Sequence, residues 1–444
     1  MSLFGTSGVR GPVGDEVTAA LALDVGRAVG GHLADRGDPR RVVVGRDPRE
    51  SGAMLADALA AGLRETGVDV VDLGLASTPT VARAVAWFDA GAGVSVTASH
   101  NPAPDNGLKL WQPSGQAFGA DRRADVEERI AAGDPSLEAW DGLGDRTAGG
   151  ATDRHADHLV AATDPAALSV VVDLGNGAGG VTVDALSRLG CDVETLNAQP
   201  DGAFPGRPSE PTAEHCGSLA ALVGATDADL GIAHDGDADR LRAVAGDGTF
   251  LSGDGTLALF AADAAAEGER VAVPVDTSLA VEDYLAERGV GVERTPVGDV
   301  YVAEAAAAPD VAFGGEPSGA WIWPTETLCP DGPYAACKLV ELAAERPLAE
   351  RAAELPAYPI RRDAVEVADK AAVMERVRER VLAEYDDVTT LDGVRVGVDG
   401  GWFLLRASGT QPLVRVTAEA REEERAAEIF EDASGLVADA VRQN

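Results

Sequence analysis

The 444-residue sequence repeats one pattern three times: a strand, a loop, a helix and a second strand. Each copy starts with a β-branched run, passes through an Ala- and Leu-rich stretch, and ends in a strand that follows a glycine. The copies span residues 42–71, 170–193 and 271–292. Because they are diverged and separated by about the length of a domain, they predict three similar α/β domains rather than a solenoid.

Glycine and proline mark three domain boundaries. The first lies near Gly149, after a Gly- and Asp-rich stretch, and the second lies near Gly246 to Gly248. The third lies near Leu355 to Pro359, where two prolines interrupt a helical segment predicted at 339–354.

The segment after the third boundary has a different pattern. It predicts a helix at 370–384, a hairpin across Asp399 to Gly401 and a charged helix at 422–442. We therefore expect a mixed α/β fold in which three similar α/β domains and a smaller α+β domain surround a central active-site cleft. The four predicted domains are residues 1–148, 149–247, 248–355 and 356–444.

The charge of the chain restricts its partners. Asp and Glu number 74 against 37 Lys and Arg, which gives a net charge of −37. Nucleic acids and anionic membranes would be repelled, so neither is expected as a partner. Lysine occurs only at Lys109, Lys338 and Lys370. An acid-rich, lysine-poor composition suits a cytosol with molar salt, which predicts a halophilic host.

Cysteine and histidine carry weak signals. The cysteines lack Cys-x-x-Cys spacing and indicate reduced thiols. His155 and His158 are spaced like metal ligands on a helix, but their acidic neighbours favour a solvated face. The sequence opens without a basic and apolar leader, and no apolar run approaches about 18 residues. We expect a soluble, cytoplasmic protein of undetermined oligomeric state.

A predicted strand at 94–98 runs into Ser99, His100, Asn101 and Pro102. Strand ends in α/β sheets face the crevice where ligands bind, and Asn-Pro stops the strand. Taken alone, a serine in this place is more often a helix N-cap than a nucleophile. Ser99 becomes a candidate nucleophile because of the motifs that follow.

Asp235, Asp237 and Asp239 alternate in a loop after another apolar run. Three oxygen ligands on one tight loop suit a hard cation. A calcium loop of the EF-hand type would need Gly and Glu where Arg240 and Gly246 stand. Mg²⁺, which keeps positions open for water and phosphate oxygens, fits better. An acidic surface turn is the alternative.

Two further loops carry polar residues. Gly315 to Gly319 follows an apolar strand and contains Glu316 and Ser318. Arg406 to Pro412, with Arg415 beyond it, combines guanidinium groups, hydroxyls and the amides of a Gly-containing turn. Such donors suit the oxygens of a phosphate group. Without the flanking arginines this would be an ordinary turn.

Two other functional classes are suggested by parts of the sequence. Gly175 to Gly180 matches the dinucleotide pattern G-x-G-x-x-G, with Asp192 or Glu194 downstream, so an NAD-linked dehydrogenase is an alternative. That interpretation leaves the serine, aspartate and phosphate motifs unused. A non-catalytic sugar-phosphate binding protein would retain the carboxy-terminal turn, but it would not need Ser99 and a metal loop together.

In this order the motifs resemble those of the α-D-phosphohexomutases, and the resemblance covers essentially the whole chain. The matching segments are Phe4 to Gly11, Thr97 to Pro102, Asp105 to Lys109, Asp235 to Arg240, Glu316 to Gly319 and Arg406 to Arg415. In the same order, these segments are similar to the family's amino-terminal motif, phosphoserine loop, lysine-bearing segment, metal loop, sugar-specificity loop and phosphate-binding loop.

The resemblance implies an enzyme that interconverts hexose 6-phosphates and 1-phosphates through a phosphoserine at Ser99 and a sugar 1,6-bisphosphate, which also acts as activator. It implies one Mg²⁺ per chain, held by Ser99, Asp235, Asp237 and Asp239. The implied residues of the transfer centre are Ser99, Arg10, His100, Lys109 and Arg240. The implied substrate-binding residues are Glu316, Ser318, Arg406, Ser408, Gly409, Thr410 and Arg415.

The sugar loop departs from the commoner family pattern. Ala320 and Trp321 stand where many relatives carry His, and Pro317 replaces Met or Gln. Glu-Pro-Ser-Gly resembles the archaeal branch assigned to phosphoglucosamine mutase, so glucosamine 6-phosphate is the expected small-molecule substrate. Mannose and glucose phosphates are the alternatives, and a hydrolase is a further one.

Overall fold

The structure, a computed structural model, describes residues 3–5, 8–408 and 412–442. Within these residues the strands form four separate sheets, and we name the unit built on each sheet domain I, II, III or IV in chain order. The expected α/β architecture is confirmed. The residue at which each domain ends stays a prediction.

Domain I has a six-stranded mixed sheet in the order β1-β5-β4-β2-β3-β6. Its central strand β2 is a run of valines buried on both faces, as expected of a parallel strand between helices. Its elements are β1 (Val9–Pro12), α1 (Ala19–Arg36), β2 (Arg41–Arg46), α2 (Gly52–Glu65), β3 (Asp69–Leu75), α3 (Thr78–Trp87), β4 (Ala92–Val96), β5 (Asp105–Trp111), α4 (Ala120–Ala132) and β6 (Arg146–Ala148).

Domains II and III each have a four-stranded sheet, in the orders β10-β9-β7-β8 and β12-β11-β13-β14. Domain II contains α5 (Thr152–Ala161), β7 (Ser169–Asp173), α6 (Gly180–Arg188), β8 (Asp192–Leu196), α7 (Gly217–Ala225), β9 (Leu230–His234) and β10 (Leu241–Ala245). Domain III contains α8 (Gly253–Ala264), β11 (Arg270–Pro274), α9 (Leu279–Ala286), β12 (Gly291–Thr295), α10 (Asp299–Ala306), β13 (Val311–Glu316), β14 (Ala320–Ile322), α11 (Gly332–Glu345) and α12 (Leu348–Ala353). One continuous apolar core serves both domains.

The three domains share one strand order. In each, the first strand of the repeat pairs in parallel with the second and with a third, and the third pairs with an antiparallel fourth. The third strands are β4, β9 and β13. The predicted strand–helix–strand repeat is therefore confirmed, and the motif loops occupy equivalent places after or at the ends of these third strands.

Domain IV has a five-stranded antiparallel sheet, in the order β15-β19-β18-β17-β16, and its own apolar core. Its elements are β15 (Ile360–Glu366), α13 (Lys370–Glu384), β16 (Val388–Thr389), β17 (Val394–Val398), β18 (Gly401–Ala407), β19 (Leu413–Ala420) and α14 (Glu423–Arg442). The predicted helices and the hairpin between β17 and β18 are confirmed. The helical segment predicted at 339–354 is instead two helices, α11 and α12, because Pro347 separates them.

None of the described helices is long and apolar enough to cross a membrane.

Candidate active site

The loops at the ends of β4, β9 and β13 meet in the structure. The Ser99 hydroxyl donates to Asp235 Oδ2 at 2.6 Å, which joins domain I to domain II. The Leu241 amide donates to the Gly319 carbonyl at 2.9 Å, which joins domain II to domain III. Because the strands end at equivalent edges of three similar sheets, the serine, aspartate and sugar loops lie in one place.

Ser99 is buried and has a left-handed backbone conformation, with φ of 52°. Its amide donates to Thr97 Oγ1 at 2.8 Å, and its hydroxyl also lies 3.5 Å from Asp239 Oδ1. No helix begins at Ser99 within the described residues 8–408, so the N-cap interpretation is wrong. Its hydroxyl instead faces the carboxylates of the metal loop.

The three loop aspartates are buried, and one oxygen of each lies within 4.8 Å of the others. Helix α3 supports this loop, because Thr78 donates from its hydroxyl to Asp237 Oδ2 at 2.7 Å and from its amide to the Asp237 carbonyl at 2.9 Å. Among the described residues, no donor reaches Asp237 Oδ1. Converging buried carboxylates with an unsatisfied oxygen fit a divalent cation.

Burial and mutual repulsion act on these carboxylates. Burial, followed by the charges of Asp239 and Asp237, raises the pKa of Asp235 well above its usual value. Burial also opposes ionisation of Asp237, but Lys109 and Thr78 hold its pKa below the usual value. The loop therefore concentrates negative charge that needs a cationic partner.

Basic side chains on the sheet of domain I supply part of the positive charge that the aspartate loop needs. Lys109 on β5 donates from Nζ to Asp237 Oδ2 at 3.0 Å and also contacts Asp239 Oδ2. Burial opposes the charge on Lys109, but these two carboxylates raise its pKa above the usual value. Arg10 lies on the neighbouring strand β1, paired with Gly107. No acceptor in the described residues reaches its Nε.

His100 and Arg240 complete this group. Burial, followed by the positive charge of Arg240, lowers the pKa of His100 to about 2, so the imidazole is neutral at physiological pH. The Arg240 amide donates to Asp235 Oδ1 at 3.2 Å, and its guanidinium lies 3.7 Å from Glu210. All five residues predicted for the transfer centre are therefore clustered.

The sugar loop begins at the end of β13. Glu316 accepts from the Gly298 amide at 2.7 Å and lies 3.4 Å from the Ser318 hydroxyl. Burial, followed by the charge of Asp299, raises the pKa of Glu316 to about 7. The ionisation of this carboxyl therefore falls in the neutral pH range instead of the acidic range usual for Glu.

The phosphate loop lies between β18 and β19, where Arg406 and Arg415 are paired positions on adjacent strands. Arg406 Nη1 is 3.3 Å from Asp392 Oδ2. The buried Ser408 donates its amide to the Leu413 carbonyl at 2.9 Å and accepts from Lys370 at its own carbonyl. The predicted residues Gly409 and Thr410 lie outside the described part of the chain. Arg406 and Arg415 thus lie on the two strands beside the predicted phosphate loop.

The glycine-rich loop of domain II packs against the metal loop. The Ala178 amide donates to the Gly236 carbonyl at 2.9 Å. A Cβ atom at Gly177 would lie 2.7 Å from that same carbonyl oxygen. The small residues here allow two backbones to approach closely, so the structure gives no support to dinucleotide binding.

Two buried ion pairs lie behind these loops and were not predicted from the sequence. Arg49 Nε donates to Asp47 at 2.9 Å, and Arg207 Nε donates to Asp173 at 2.7 Å. Asp47 directly follows the first strand of its repeat, and Asp173 is the last residue of that strand in the second copy. An acid at or just after the end of the first strand in both copies was a usable signal for these residues.

Four family models match the chain in order. They are the phosphoglucomutase/phosphomannomutase alpha/beta/alpha domains I, II and III, at residues 1–136, 153–248 and 252–358, and the C-terminal domain, at residues 364–435. A probable phosphoglucosamine mutase of Methanosarcina barkeri is 45% identical over 100% of both chains. That of Methanopyrus kandleri is also 45% identical, over 98% of this chain and 97% of its own.

Solved structures show the same fold. A phosphoglucomutase/phosphomannomutase family protein from Burkholderia thailandensis has a TM-score of 0.89 at 29% identity, over 99% of this chain and 97% of that one. A putative phosphomannomutase from Thermus thermophilus has a TM-score of 0.81 at 29% identity, over 98% of each chain. The full-length identity and the four matched domains show that the chain belongs to the phosphoglucomutase/phosphomannomutase family.

Proposed function

We propose that this protein is a phosphoglucosamine mutase, which interconverts glucosamine 6-phosphate and glucosamine 1-phosphate. Membership of the family makes it a phosphohexomutase, and its full-length relatives are named for this sugar. The observation that carries the mechanism is the buried Ser99 hydroxyl 2.6 Å from Asp235, in a cluster of carboxylates and cations.

In the proposed cycle, the resting enzyme carries a phosphoserine at Ser99. The bond between phosphorus and Ser99 Oγ breaks as a bond from phosphorus to a free sugar hydroxyl forms. The proton of that hydroxyl leaves, and a proton is returned to the serine oxygen. The sugar bisphosphate then turns over in the cleft, and the bond from its other phosphorus to the sugar oxygen breaks as a bond to Ser99 Oγ forms. Free sugar bisphosphate that binds a dephosphorylated enzyme would transfer a phosphoryl group to Ser99 in the same way, so it also serves as activator.

Basic side chains stabilise the phosphoryl group, which carries about −1.5 to −2 charges at neutral pH. Arg10, Lys109 and Arg240 are the cations of the cluster and would bind the equatorial oxygens of the transferring group. Lys109 is our candidate for the proton transfer, because the chain keeps a lysine here where it otherwise uses almost only arginine. Asp237 and Asp239 hold it as an ammonium, so it would act by returning a proton to the serine oxygen. His100, held neutral, would act as a hydrogen-bonding group beside it.

Asp235, Asp237 and Asp239, together with the phosphorylated Ser99, would hold one Mg²⁺. When bound, this ion would neutralise charge on the phosphoserine oxygens. The unsatisfied Asp237 Oδ1 supports the assignment. Thr78 holds the opposite oxygen of the same carboxylate, which fixes its orientation.

The remaining residues would bind the two ends of the sugar phosphate. Glu316 and Ser318 would hold sugar hydroxyls that look alike in both orientations of the substrate. The distal phosphate would be bound by Arg406, Ser408, Gly409, Thr410 and Arg415. Each orientation of the substrate places a phosphate at this same site. Guanidinium groups suit it because they can bind a phosphate through two parallel hydrogen bonds.

Localisation in the cytoplasm is part of the proposal. All four cysteines are buried and unpaired by disulfides, as expected of reduced thiols. The proposed substrates are small sugar phosphates.

The test is to measure interconversion of the 6- and 1-phosphates of glucosamine, glucose and mannose with Mg²⁺, a trace of sugar bisphosphate and molar KCl. We expect the largest kcat/KM with glucosamine phosphate and complete loss in Ser99→Ala. A larger kcat/KM with mannose or glucose phosphate would make the protein a phosphomannomutase or phosphoglucomutase. Equal turnover without Ser99 would exclude the phosphoserine mechanism.

A further inference from the structure

We propose that Ser209 is a positioning residue whose hydroxyl ties the phosphoserine loop of domain I to the metal loop of domain II. This inference rests on the proposed function. It assigns a role to a side chain outside all six segments that resemble the family motifs, in the connection between β8 and α7.

The Ser209 hydroxyl donates across the domain interface and accepts from within its own domain. It donates to the Ser99 carbonyl at 2.8 Å and accepts from the Gly236 amide at 3.0 Å. The first partner belongs to the nucleophile residue itself, and the second directly follows Asp235. Ser209 is 2% exposed, so water does not compete for these bonds.

The two loops touch at this point. A Cβ atom at Gly236 would lie 2.8 Å from Ser209 Oγ and 2.9 Å from the Ser99 carbonyl oxygen. Since the backbones are this close, one side-chain hydroxyl is enough to set their separation. The same separation determines how far the Ser99 hydroxyl lies from Asp235.

The phosphoserine loop is held from its own domain by Arg49. This fully buried guanidinium donates to the carbonyls of Ser99 at 2.9 Å and Asn101 at 2.7 Å. It also donates to the carbonyls of Pro102 at 2.6 Å and Asp105 at 2.8 Å. These bonds fix the conformation of the phosphoserine loop. The bond from Ser209 then fixes the position of this loop relative to domain II.

Ser209 is itself held by the second buried ion pair. Arg207 donates to the Ser209 carbonyl at 3.3 Å, to the His234 carbonyl at 2.6 Å and to Asp173 Oδ2 at 2.7 Å. His234 directly precedes Asp235. One guanidinium thus orients both the segment that carries Ser209 and the start of the metal loop.

The variant that tests this role is Ser209→Ala, which removes one oxygen atom. Ser95→Ala is the matched control, because Ser95 is also 2% exposed, but the one hydrogen-bond partner of its hydroxyl among the described residues is Trp111 Nε1, at 3.0 Å, inside domain I. We expect Ser209→Ala to lower kcat about 10- to 100-fold, since an error of about 1 Å in a reacting group costs up to about 100-fold. The KM should stay within about twofold, because the sugar and distal phosphate contacts lie elsewhere.

Two measurements separate positioning from a loss of folded protein. Intact mass gives the fraction of enzyme phosphorylated at Ser99, and rapid quench gives the single-turnover rate of transfer from that phosphoserine to glucosamine 6-phosphate. We expect Ser209→Ala to slow this rate per phosphorylated molecule while Ser95→Ala leaves it unchanged. A wild-type rate per phosphorylated molecule in Ser209→Ala would overturn the inference, even if the midpoint of thermal unfolding fell. Absence of Ser99-dependent turnover in the wild-type protein would instead overturn the proposed function.

Discussion

Burial decides the protonation state of Glu316, and this gives a prediction at the scale of a single residue. Its pKa is raised to about 7, so the side chain is protonated below that pH and becomes a carboxylate above it. A carboxylate accepts hydrogen bonds from sugar hydroxyls more strongly than a neutral carboxyl does. Binding that depends on Glu316 should therefore improve as the pH rises through 7.

The measurement is kcat/KM from pH 6 to 8 for wild type and Glu316→Gln. We expect the ratio of wild type to variant to rise about tenfold over this range, the equivalent of one strengthened hydrogen bond. Taking the ratio removes ionisation of the substrate phosphate, because that change affects both proteins. A ratio that stays flat with pH would show that ionisation of Glu316 does not govern binding.

At the scale of single residues, the sequence predicted the side chains that carry the chemistry, but only some of the residues that hold their loops in place. Ser99, Asp235 and Lys109 follow from motif and resemblance, and the structure brings them together. Ser209 did not, because its partners are a main-chain carbonyl and a main-chain amide in loops far from it along the chain. A backbone partner leaves no residue type to recognise in the sequence.

Helix α8 supports the sugar loop through one close contact between elements. Gly253 is the first residue of α8, and a Cβ atom there would lie 2.6 Å from the carbonyl carbon of Pro317. Gly253→Ala should push the sugar loop out of place and raise KM for the sugar phosphate about tenfold. Overpacking of this kind also costs about 1–3 kcal/mol of stability.

Gly180→Ala is the matched control for this element contact. Gly180 is also the first residue of its helix, α6, but nothing lies within 4 Å of the position of its Cβ. Steady-state kinetics of the two variants should therefore differ, with Gly180→Ala close to wild type. Equal KM values in both variants would show that α8 does not position the sugar loop.

The elements themselves were predictable where periodicity is strong, as in α13 and in the three repeated strand–helix–strand units. The way the helices pack against one another could not be predicted from the sequence. The solvated face expected for His155 is wrong, because its Nδ1 lies 2.8 Å from Thr80 Oγ1 and its Nε2 lies 3.4 Å from Asp331. Three domains meet at this histidine, and that arrangement leaves no mark on the local sequence.

Attachment of domain IV to the rest of the molecule depends on a buried carboxylate. Glu419 on β19 accepts from the Leu279 amide of domain III at 2.7 Å and from Trp402 Nε1 at 2.7 Å, and it also accepts from the Ser278 hydroxyl. Glu419→Ala would leave these donors buried without an acceptor. We expect a loss of about 3 kcal/mol of stability.

Calorimetry of thermal unfolding measures this loss, with Glu423→Ala as control. Glu423 pairs with Arg361 at 2.6 Å, but its side chain is 69% exposed, so the pair contributes less than about 1 kcal/mol. We expect the transition that includes domain IV to move to lower temperature only in Glu419→Ala. An unchanged transition would mean that other contacts hold domain IV in place.

For the whole molecule, the sequence predicted that three similar domains contribute loops to one cleft, and the shared strand order explains why. It could not predict the contacts between domains, since these depend on how complete sheets pack together. The net charge of −37 still predicts a stability that increases with salt, through screening of carboxylate repulsion. The halophilic host stays a prediction.

The measurement that tests the phosphoserine mechanism most directly is transfer of a radioactive phosphoryl group. The protein is first freed of its phosphoryl group with excess glucosamine 6-phosphate and is then incubated with Mg²⁺ and labelled sugar 1,6-bisphosphate. The protein is isolated, and the labelled residue is identified by peptide mapping. We expect the label on Ser99, and we expect a chase with glucosamine 6-phosphate to move it to the sugar. Absence of label on Ser99, or its release as inorganic phosphate, would contradict the mechanism.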